Sequence, residues 1–459
     1  MILAITLGSC KKFLEKEPIG RVGKQVLFED IQGARVGLTG AYTSMLTYYR
    51  NEFGMFGDVA SDNVINVPAT GDNSVMLEVF NFTATPDDIL VTPRKIWVSI
   101  FETLNNVNNL LNAIPALKDK FPGNLAEIER IEGQALVLRA LCHFDLSRVY
   151  AQPYNFTADA SHLGVPVLTK TPAPATAVPR ATMKQTYDQI LADLNNALPY
   201  LSKYNNATDQ ALISYQAALG LLSRVYLYKG DWANCVKSAD LVIADTRYQL
   251  ASAAEYPNVF VNYPDKDAAV KKELLFFLNG AGTKLSGSRE ILNVFSGGNV
   301  QYVRSPKLTN KLDDNDVRKT STFSNGITKK YSSNLTIKVI RLAEVYLNRA
   351  EANWNLQKYN EAKADIEVIS SRAHAAPVTI TYTDPTDLYE KIADERNREL
   401  CFEGHRFFDI VRRKENLQRG TGCNSVVCGI NYPDYRFALP ISTRELDANP
   451  AMQQNPGYK

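Results

Sequence analysis

Apolar and polar residues alternate at helical spacing in the segment Asp394–Arg413, DERNRELCFEGHRFFDIVRR. Its large apolar residues and one glycine recur three or four positions apart, at Leu400, Gly404, Phe407, Phe408 and Val411. This spacing predicts one packed helix with an apolar stripe along it. Because a glycine inside a helix costs roughly 1 kcal/mol of helix propensity, we expect another backbone to lie close to Gly404.

Two longer stretches have the pattern of paired helices. In Tyr215–Asp245, a helix rich in small residues is followed by a turn at Gly230 and Asp231 and by a second amphipathic helix. Arg341–Arg372 has the same arrangement. Such helix–turn–helix units, with alanines where the paired helices approach closely, are typical of tetratricopeptide repeats.

Weaker amphipathic patterns extend the array. They occur at Trp97–Ile114, Glu132–Tyr150 and Thr182–Leu201. Thr182 is the predicted N-cap of the last of them, and the Pro-rich stretch Gly164–Pro179 before it predicts an extended loop. The sequence therefore predicts a mostly α fold, a tetratricopeptide-like helical-repeat scaffold of about four helix pairs in residues 95–245 and 338–375.

Two stretches do not have this periodicity, residues 51–93 and 250–331. They are rich in Gly, Asn, Asp, Ser and Tyr, with short β-like runs at Leu274–Leu278 and Val300–Val303. They predict an irregular, loop-rich half packed against the scaffold. Because long loops inside a compact domain are usually functional, we expect this half to face the ligand.

Several blocks along the chain resemble a known protein family. They are GQALVLRALCHFDLSRVY, PRATMKQTYDQILADL, VIRLAEVYLNRAEA, ERNREL with FEGHRFFD, and the C-terminal LPISTRELDANPAMQQNPGY. Together they resemble the RagB/SusD family of Bacteroidetes outer-membrane nutrient-binding lipoproteins, in the family's order and over most of the chain. The resemblance implies a single SusD-like domain over residues 10–459, with C-terminal family blocks in 392–459.

The first residues resemble a bacterial lipoprotein signal. Met1–Leu7 is apolar and runs into Gly8, Ser9 and Cys10, a short hydrophobic region followed by small residues and a cysteine. We therefore expect residues 1–9 to be a signal peptide and Cys10 to carry the lipid. No Lys or Arg precedes the apolar run, which leaves open whether the signal starts earlier than Met1.

The resemblance implies a role in nutrient uptake. Family members bind oligosaccharide without catalysis and deliver it to a SusC-like TonB-dependent outer-membrane transporter, and some relatives take peptides instead. We expect a protein that is lipid-anchored to the outer membrane, faces the exterior, and needs no cofactor. The formal net charge of +2 gives no electrostatic reason to expect nucleic acid. All three tryptophans, Trp97, Trp232 and Trp354, lie on predicted scaffold helices, which weakens the case for glycan against peptide.

A glycoside-active enzyme is the distant alternative. Glu399 and Glu403 lie on one predicted helical face, and glycosidases use a pair of carboxylates. Each has an arginine three residues away, Arg396 or Arg406, which would hold it ionised, whereas a general acid needs a raised pKa. We therefore predict a structural ion-pair network.

Metal sites are not predicted. His405 and Asp409 share a helical face, but two ligands without a third favour a hydrogen-bonded histidine. The run Asp313–Asp316 has oxygens suited to calcium but lacks the glycine and terminal glutamate of an EF-hand loop, so a solvated loop is the better interpretation.

Ligand-facing candidates come from the two loop regions, because sugar binding needs exposed aromatic faces with amides and charged groups beside them. The candidates are Asp62, Asn63, Asn66, Asp72, Asn73, Phe295, Asn299, Tyr302 and Arg304. The competing interpretation for each polar candidate is ordinary turn chemistry, since Asn and Asp favour turns for local backbone reasons. Asp58, in a block that resembles the family, is expected to be structural.

The cysteines other than Cys10 divide into two groups. Cys142, Cys235 and Cys401 lie in apolar helical contexts and are expected to be buried thiols. Cys423 and Cys428 bracket a short loop, where a disulfide is favoured in an exported protein and two free thiols are the alternative.

Overall fold

The computed structural model describes residues 23–67, 74–87, 92–204, 209–261, 272–280, 287, 289–331 and 336–459, and helices dominate them. The first helices are α1 Lys24–Leu27, α2 Ile31–Arg50, α3 Glu52–Val59, α4 Leu77–Phe80, α5 Thr92–Lys120, α6 Leu125–Tyr150, α7 Met183–Lys203, α8 Tyr215–Lys229 and α9 Trp232–Ile243. The later helices are α10 Asn258–Val261, α11 Ile291–Phe295, α12 Pro306–Thr309, α13 Arg318–Ser321, α14 Leu342–Asn355, α15 Tyr359–Arg372, α16 Pro385–Leu400, α17 Arg406–Arg412 and α18 Thr443–Ala448.

The strands are short and pair in twos. They are β1 Val64–Asn66, β2 Leu274–Leu278, β3 Tyr302–Arg304, β4 Phe323–Ser324, β5 Ile327–Thr328, β6 Ile337–Arg341, β7 Leu417–Gln418 and β8 Gly429–Ile430. β1 pairs with β3, β2 with β6, β4 with β5, and β7 with β8, all antiparallel. The predicted strand at Leu274–Leu278 is confirmed as β2, while the one predicted at Val300–Val303 lies slightly further on, as β3.

Local signals fix the ends of the predicted helix pairs. The Ser214 side chain caps the start of α8, and Gly230 ends that helix with a φ of +78°, a conformation that glycine adopts without strain. Asp231 caps α9 one residue later. Thr182 and Gln185 form a reciprocal capping box at the start of α7. The helix pairs predicted at Tyr215–Asp245 and Arg341–Arg372 are both confirmed.

The helices pack largely in the order of the chain. The successive contacts are α5 with α6, α6 with α7, α7 with α8, α8 with α9, α9 with α14, and α14 with α15 and α16. Gly133 of α6 allows one close approach, since a Cβ there would lie 3.1–3.2 Å from Leu201 and Tyr200 of α7. Stacking of neighbouring helix pairs is the arrangement of a tetratricopeptide-like array. The predicted mostly α scaffold with short β-elements is therefore confirmed.

The main apolar core lies between these helices and continues beneath the short strands. A smaller cluster fills the space between α14, α15 and α16, with Leu347, Ile366 and Ile392 fully buried in it. Helix α2, which the sequence patterns above do not predict, packs against α5 and α6. Within the ranges that the structure describes, no helix is both long enough and apolar enough to cross a bilayer.

The prediction of one continuous helix over Asp394–Arg413 is wrong. Helix α16 ends at Leu400, and α17 begins at Arg406. Between them Phe402 and Gly404 have φ values of +60° and +78°, which no α-helix accommodates. The apolar stripe is therefore shared between two helices with a tight turn between them.

The turn between α16 and α17 is held by α3. The carboxylate of Asp58 accepts the backbone N–H of Phe402 at 2.8 Å and of Gly404 at 2.7 Å. The predicted close approach of another backbone to Gly404 is confirmed, because a Cβ on Gly57 would lie 2.1 Å from the Gly404 carbonyl oxygen. Helix α3 therefore joins the loop-rich half to the turn.

Candidate functional site

The two loop regions predicted to face the ligand meet in a β-ribbon. β1 and β3 pair with Val64 opposite Arg304, Ile65 opposite Val303, and Asn66 opposite Tyr302. The hairpin formed by β4 and β5 extends this ribbon, because the Gly326 carbonyl accepts the Arg304 N–H at 2.8 Å.

Side chains lock the ribbon to the segment that follows β1. The Gln301 side-chain carbonyl accepts the Val75 N–H at 2.6 Å, and the Tyr302 hydroxyl donates to the Val75 carbonyl at 2.8 Å. The Asn66 amide donates to the Gln301 carbonyl and to the Ser74 hydroxyl, each at 3.0 Å. Residues far apart in the chain are thus held in one fixed arrangement.

A third segment, around the disulfide of Cys423 and Cys428, completes the surface. Asn424 bonds to both the backbone N–H and the carbonyl of Asn66. Arg419 is buried and donates to the carbonyls of Ser61 and Phe80 among others. We call residues 61–67, 74–82, 299–304 and 418–428 the loop junction.

Four of the predicted ligand contacts are buried in the loop junction or just beneath it. Asp62 is 2% exposed and pairs with Arg406 at 2.7 Å and Lys307 at 2.8 Å. Burial alone would raise the pKa of Asp62, but these two cations lower it well below its ordinary value. Asn63 is fully buried and donates to Asp58 at 3.1 Å.

Phe295 and Tyr302 are also fully buried, with their rings packed edge to face. The prediction that Asp62, Asn63, Phe295 and Tyr302 face a ligand at an open surface is therefore corrected. Their polar groups bond to other parts of the protein, the Phe295 and Tyr302 rings pack together, and all four side chains shape the surface from beneath. Asn66 is largely buried as well, and its amide is used within the ribbon.

Asn299 and Arg304 are the predicted contacts that remain partly open to solvent. The Arg304 guanidinium lies 4.5 Å from the centre of the Phe323 ring, and its Nε has no hydrogen-bond partner. Burial lowers the pKa of Arg304 from its usual value. Asp72, Asn73 and the predicted lipidation site Cys10 lie outside the described residues.

Asp58 is structural, as its sequence context predicts. In addition to holding the turn between α16 and α17, its carboxylate accepts a hydrogen bond from the Asn63 side chain. Burial raises the pKa of Asp58 to about 6, although the hydrogen bonds from Asn63, Gly404 and Phe402 oppose this shift.

The carboxylate pair that suggested an enzyme lies in a buried ion-pair network. Glu399 is fully buried and contacts Arg372 at 2.7 Å, Arg341 at 3.0 Å and Arg318 at 3.1 Å. Burial by itself would raise the pKa of Glu399, but these arginines hold it far below its ordinary value. The network was predicted, but its cations come from distant segments and not from Arg396.

Glu403 is held in the same way. It pairs with Lys330 at 2.6 Å and Arg341 at 2.8 Å, and their charges outweigh burial and lower its pKa. Arg406, its predicted partner, pairs with Asp62 instead. A general acid needs a raised pKa, whereas the pKa values of Glu399 and Glu403 are both lowered. The arrangement of this pair is therefore that of a structural ion-pair network.

Of the residues weighed above as metal ligands, Asp409 and Asp316 are paired with arginines, and His405 is buried. Burial lowers the pKa of His405 to about 3, so its ring is neutral at neutral pH. Asp409 pairs with Arg396 and Arg412, and Asp316 pairs with Arg318. Among the described residues, no group of three or more His, Cys, Asp or Glu side chains is placed to hold a metal ion.

The cysteines divide as the sequence suggests. Cys142, Cys235 and Cys401 are buried free thiols. Cys423 and Cys428 are joined, with sulfurs 2.10 Å apart. This disulfide encloses Val426, which is 73% exposed beside the ribbon.

Comparison with known proteins identifies the family. A model of the SusD family matches residues 317–458, and a model described as "Starch-binding associating with outer membrane", a SusD-like family, matches residues 13–227. The two matches cover most of the chain without overlap. The chain belongs to the SusD/RagB family. The buried Glu399 network and the turn at Gly404 lie in the C-terminal of the two matched regions.

Relatives of this SusD/RagB protein align with it over nearly their whole length, and solved structures among them share its fold. SusD-like protein P2 from Formosa agariphila is 24% identical, over 100% of this chain and 98% of that protein. A crystallised SusD superfamily protein from Bacteroides thetaiotaomicron is 28% identical over 93% of this chain and 100% of that one, with a TM-score of 0.80. A laminarin-binding SusD-like protein covers 94% of this chain and 100% of its own, with 22% identity and a TM-score of 0.72.

Proposed function

We propose that this protein binds oligosaccharide at the cell surface without catalysis and passes it to a SusC-like TonB-dependent transporter. The family model described as starch-binding and outer-membrane-associated supports the ligand class and the location. The laminarin-binding relative, which has the same fold, adds support for a glycan over a peptide.

The observation that carries the proposal is the loop junction itself. Segments from three distant parts of the chain meet there and are braced by buried polar side chains and a disulfide. Asn299 and Arg304 lie at its partly open side and offer an amide and a guanidinium for sugar hydroxyls. A preorganised surface binds at a lower entropic cost than a mobile one.

The same proposal includes the anchor and the domain organisation. Residues 1–9 would be removed as a signal peptide, and lipid on Cys10 would hold residues 10–459, as one domain, on the exterior face of the outer membrane. A diacylated cysteine carries enough buried hydrocarbon for stable attachment, whereas a single chain does not.

Calorimetric titration against panels of polysaccharides and peptides tests the ligand class. We expect saturable heats with at least one glycan and none with the peptides. The Arg304→Ala variant should bind that glycan with about tenfold lower affinity, or roughly 1.4 kcal/mol. The matched control is Arg247→Ala, a surface arginine 51% exposed in its pair with Asp245, which should change nothing. Heats with peptides alone would overturn the proposal.

Purification from native outer membranes tests the partner. The complex should contain a barrel transporter in fixed ratio to this protein after mild detergent extraction. Recovery of this protein alone, under conditions that keep other lipoprotein complexes intact, would contradict the proposed delivery.

A further inference from the structure

Two exposed aromatic rings line one cleft far along the chain from the residues of the ribbon. Among the described residues, Phe156 at 39% and Tyr435 at 44% are the aromatic side chains that exceed one third exposure. Both line a cleft with a volume of about 280 Å³. Its other apolar lining residues are Leu163, Pro433, Ala438 and Pro456. None of the residues that line the cleft belongs to the loop junction.

Each ring is held by packing on one side. The Phe156 ring lies edge-on to the His162 ring, with centres 5.3 Å apart. The Tyr435 ring lies edge-on to Tyr458 at 4.9 Å and directly over Gly457, where a Cβ would come within 2.4 Å of the ring. These contacts, together with the Arg436 guanidinium 5.8 Å from the centre of the Tyr435 ring, restrict the movement of both rings at the cleft.

The C-terminal Asn-Pro-Gly-Tyr motif forms one wall of this cleft. Asn455 donates to the carbonyls of Tyr150 and Leu439 and accepts from the Arg180 guanidinium at 2.8 Å. The Tyr458 hydroxyl donates to the Ala438 carbonyl at 2.9 Å. The wall is therefore fixed to the end of α6 by bonds between distant parts of the chain.

The polar groups in the cleft indicate what a ligand must offer. Gln152 donates to the Asp434 carbonyl, while its Oε1 is buried without a partner. The Asp434 carboxylate pairs with Arg436 at 2.8 Å, and that contact outweighs burial and lowers its pKa, so it is ionised. Both ring nitrogens of His162 are engaged. The Asp434 carboxylate, whose side chain is 19% exposed, is thus the acceptor that a ligand beside the aromatic rings can reach.

Aromatic rings beside a hydrogen-bond acceptor are suited to binding a sugar ring. The C–H bonds on the face of a pyranose carry partial positive charge and suit the negative face of an aromatic ring. Its hydroxyls can donate to the exposed part of the Asp434 carboxylate, which a hydrocarbon chain or an apolar side chain could not do. The cleft volume of about 280 Å³ lies just below the usual range for ligand pockets, about 300–1,000 Å³, and so suits one sugar unit and not a long chain.

We propose that the cleft between Phe156 and Tyr435 is a second carbohydrate subsite, which stacks a single ring of a glycan chain. The inference rests on the proposed function in requiring a glycan ligand, but it concerns a different set of residues. Asp434 accepts from a sugar hydroxyl, and Gly457 acts as a positioning residue by leaving room for the Tyr435 ring.

Affinity electrophoresis and calorimetry with soluble starch, laminarin and a wider polysaccharide panel test the subsite. Phe156→Ala and Tyr435→Ala should each lower the affinity for the bound polysaccharide about tenfold, or roughly 1.4 kcal/mol. Phe156→Tyr should retain binding. Val98→Ala, which shortens an apolar side chain 50% exposed on α5, is the control and should have no effect.

Gly457→Ala tests the positioning role separately. It should weaken binding, and in its presence Tyr435→Ala should cause no further loss, because both changes remove the same platform. Thermal melts identify any variant that fails to fold, and Phe156→Tyr then serves as the folded comparison. Equal glycan binding by wild type, Phe156→Ala and Tyr435→Ala would overturn the subsite and leave the proposed function intact. Absence of binding to every glycan would overturn both.

Discussion

Replacing Glu399 by glutamine should destabilise the protein strongly. The carboxylate is fully buried, and three guanidinium groups lie within 3.1 Å of it. Glutamine keeps the shape and one hydrogen-bond acceptor but leaves the charges of Arg318, Arg341 and Arg372 less well compensated. Removing one partner of a buried ion pair typically costs about 3–5 kcal/mol, so we expect a loss of that size in the free energy of unfolding.

Urea denaturation followed by circular dichroism measures this loss from the shift in midpoint at constant slope. Asp188→Asn is the control, because it removes the carboxylate of a surface pair with Lys184 whose side chains are 59% and 53% exposed. Exposed pairs contribute little, so its midpoint should stay at the wild-type value. A wild-type midpoint for Glu399→Gln would refute the view that the network is a charge-balanced scaffold.

Three further predictions concern packing, pH and anchoring. Gly57→Ala should cost roughly 1–3 kcal/mol in unfolding free energy, because its Cβ would lie 2.1 Å from the Gly404 carbonyl oxygen. Gly40→Ala is the control and should be neutral or stabilising, because a Cβ at Gly40 would have no neighbouring atom within 4 Å. Equal melting temperatures for the two variants would contradict the close approach. Glu344 pairs with Arg224 and Glu395 with Arg318. Burial would raise the pKa of both carboxyl groups, but these arginines lower each to about 2, against about 4.3 when unfolded. The stability that these two ionised carboxylates contribute to the folded state is therefore complete above about pH 4.3 and is lost as the pH falls toward 2. Denaturation midpoints that do not change over this pH window would contradict the prediction. Cys10→Ala should release the protein from membranes and abolish the acyl mass shift, and unchanged partitioning would refute lipid anchoring.

Most of the scaffold could be predicted from the sequence because its signals are local. The pair at Tyr215–Asp245 has its caps, turn glycine and apolar spacing within one short stretch. The capping box at Thr182 is equally local. Such features specify helix ends without reference to the rest of the chain.

The turn within Asp394–Arg413 could not be predicted in this way. Its apolar spacing fits one helix, but the acceptor that replaces the helical bonds is Asp58, 344 and 346 residues away from Phe402 and Gly404. The partners of Glu399 were mispredicted for the same reason, since Arg318, Arg341 and Arg372 lie outside its own helix. Tertiary contacts override local pattern at both places.

The candidate sites show the same limit. The composition of the two loop regions pointed to the loop junction, but it could not separate buried residues such as Tyr302 from half-exposed ones such as Arg304. Phe156 and Tyr435 are brought together only by folding, with the C-terminal Asn455–Tyr458 motif as a wall. Neither residue lies in the two loop regions from which the sequence candidates were drawn.

Equilibrium titration of the lipid-free protein with a defined oligosaccharide, followed by mass spectrometry of the recovered ligand, tests the central claim most directly. The account predicts saturable binding and recovery of the oligosaccharide at its original mass. Cleavage of the ligand, or binding of peptides with no binding of any oligosaccharide, would contradict it.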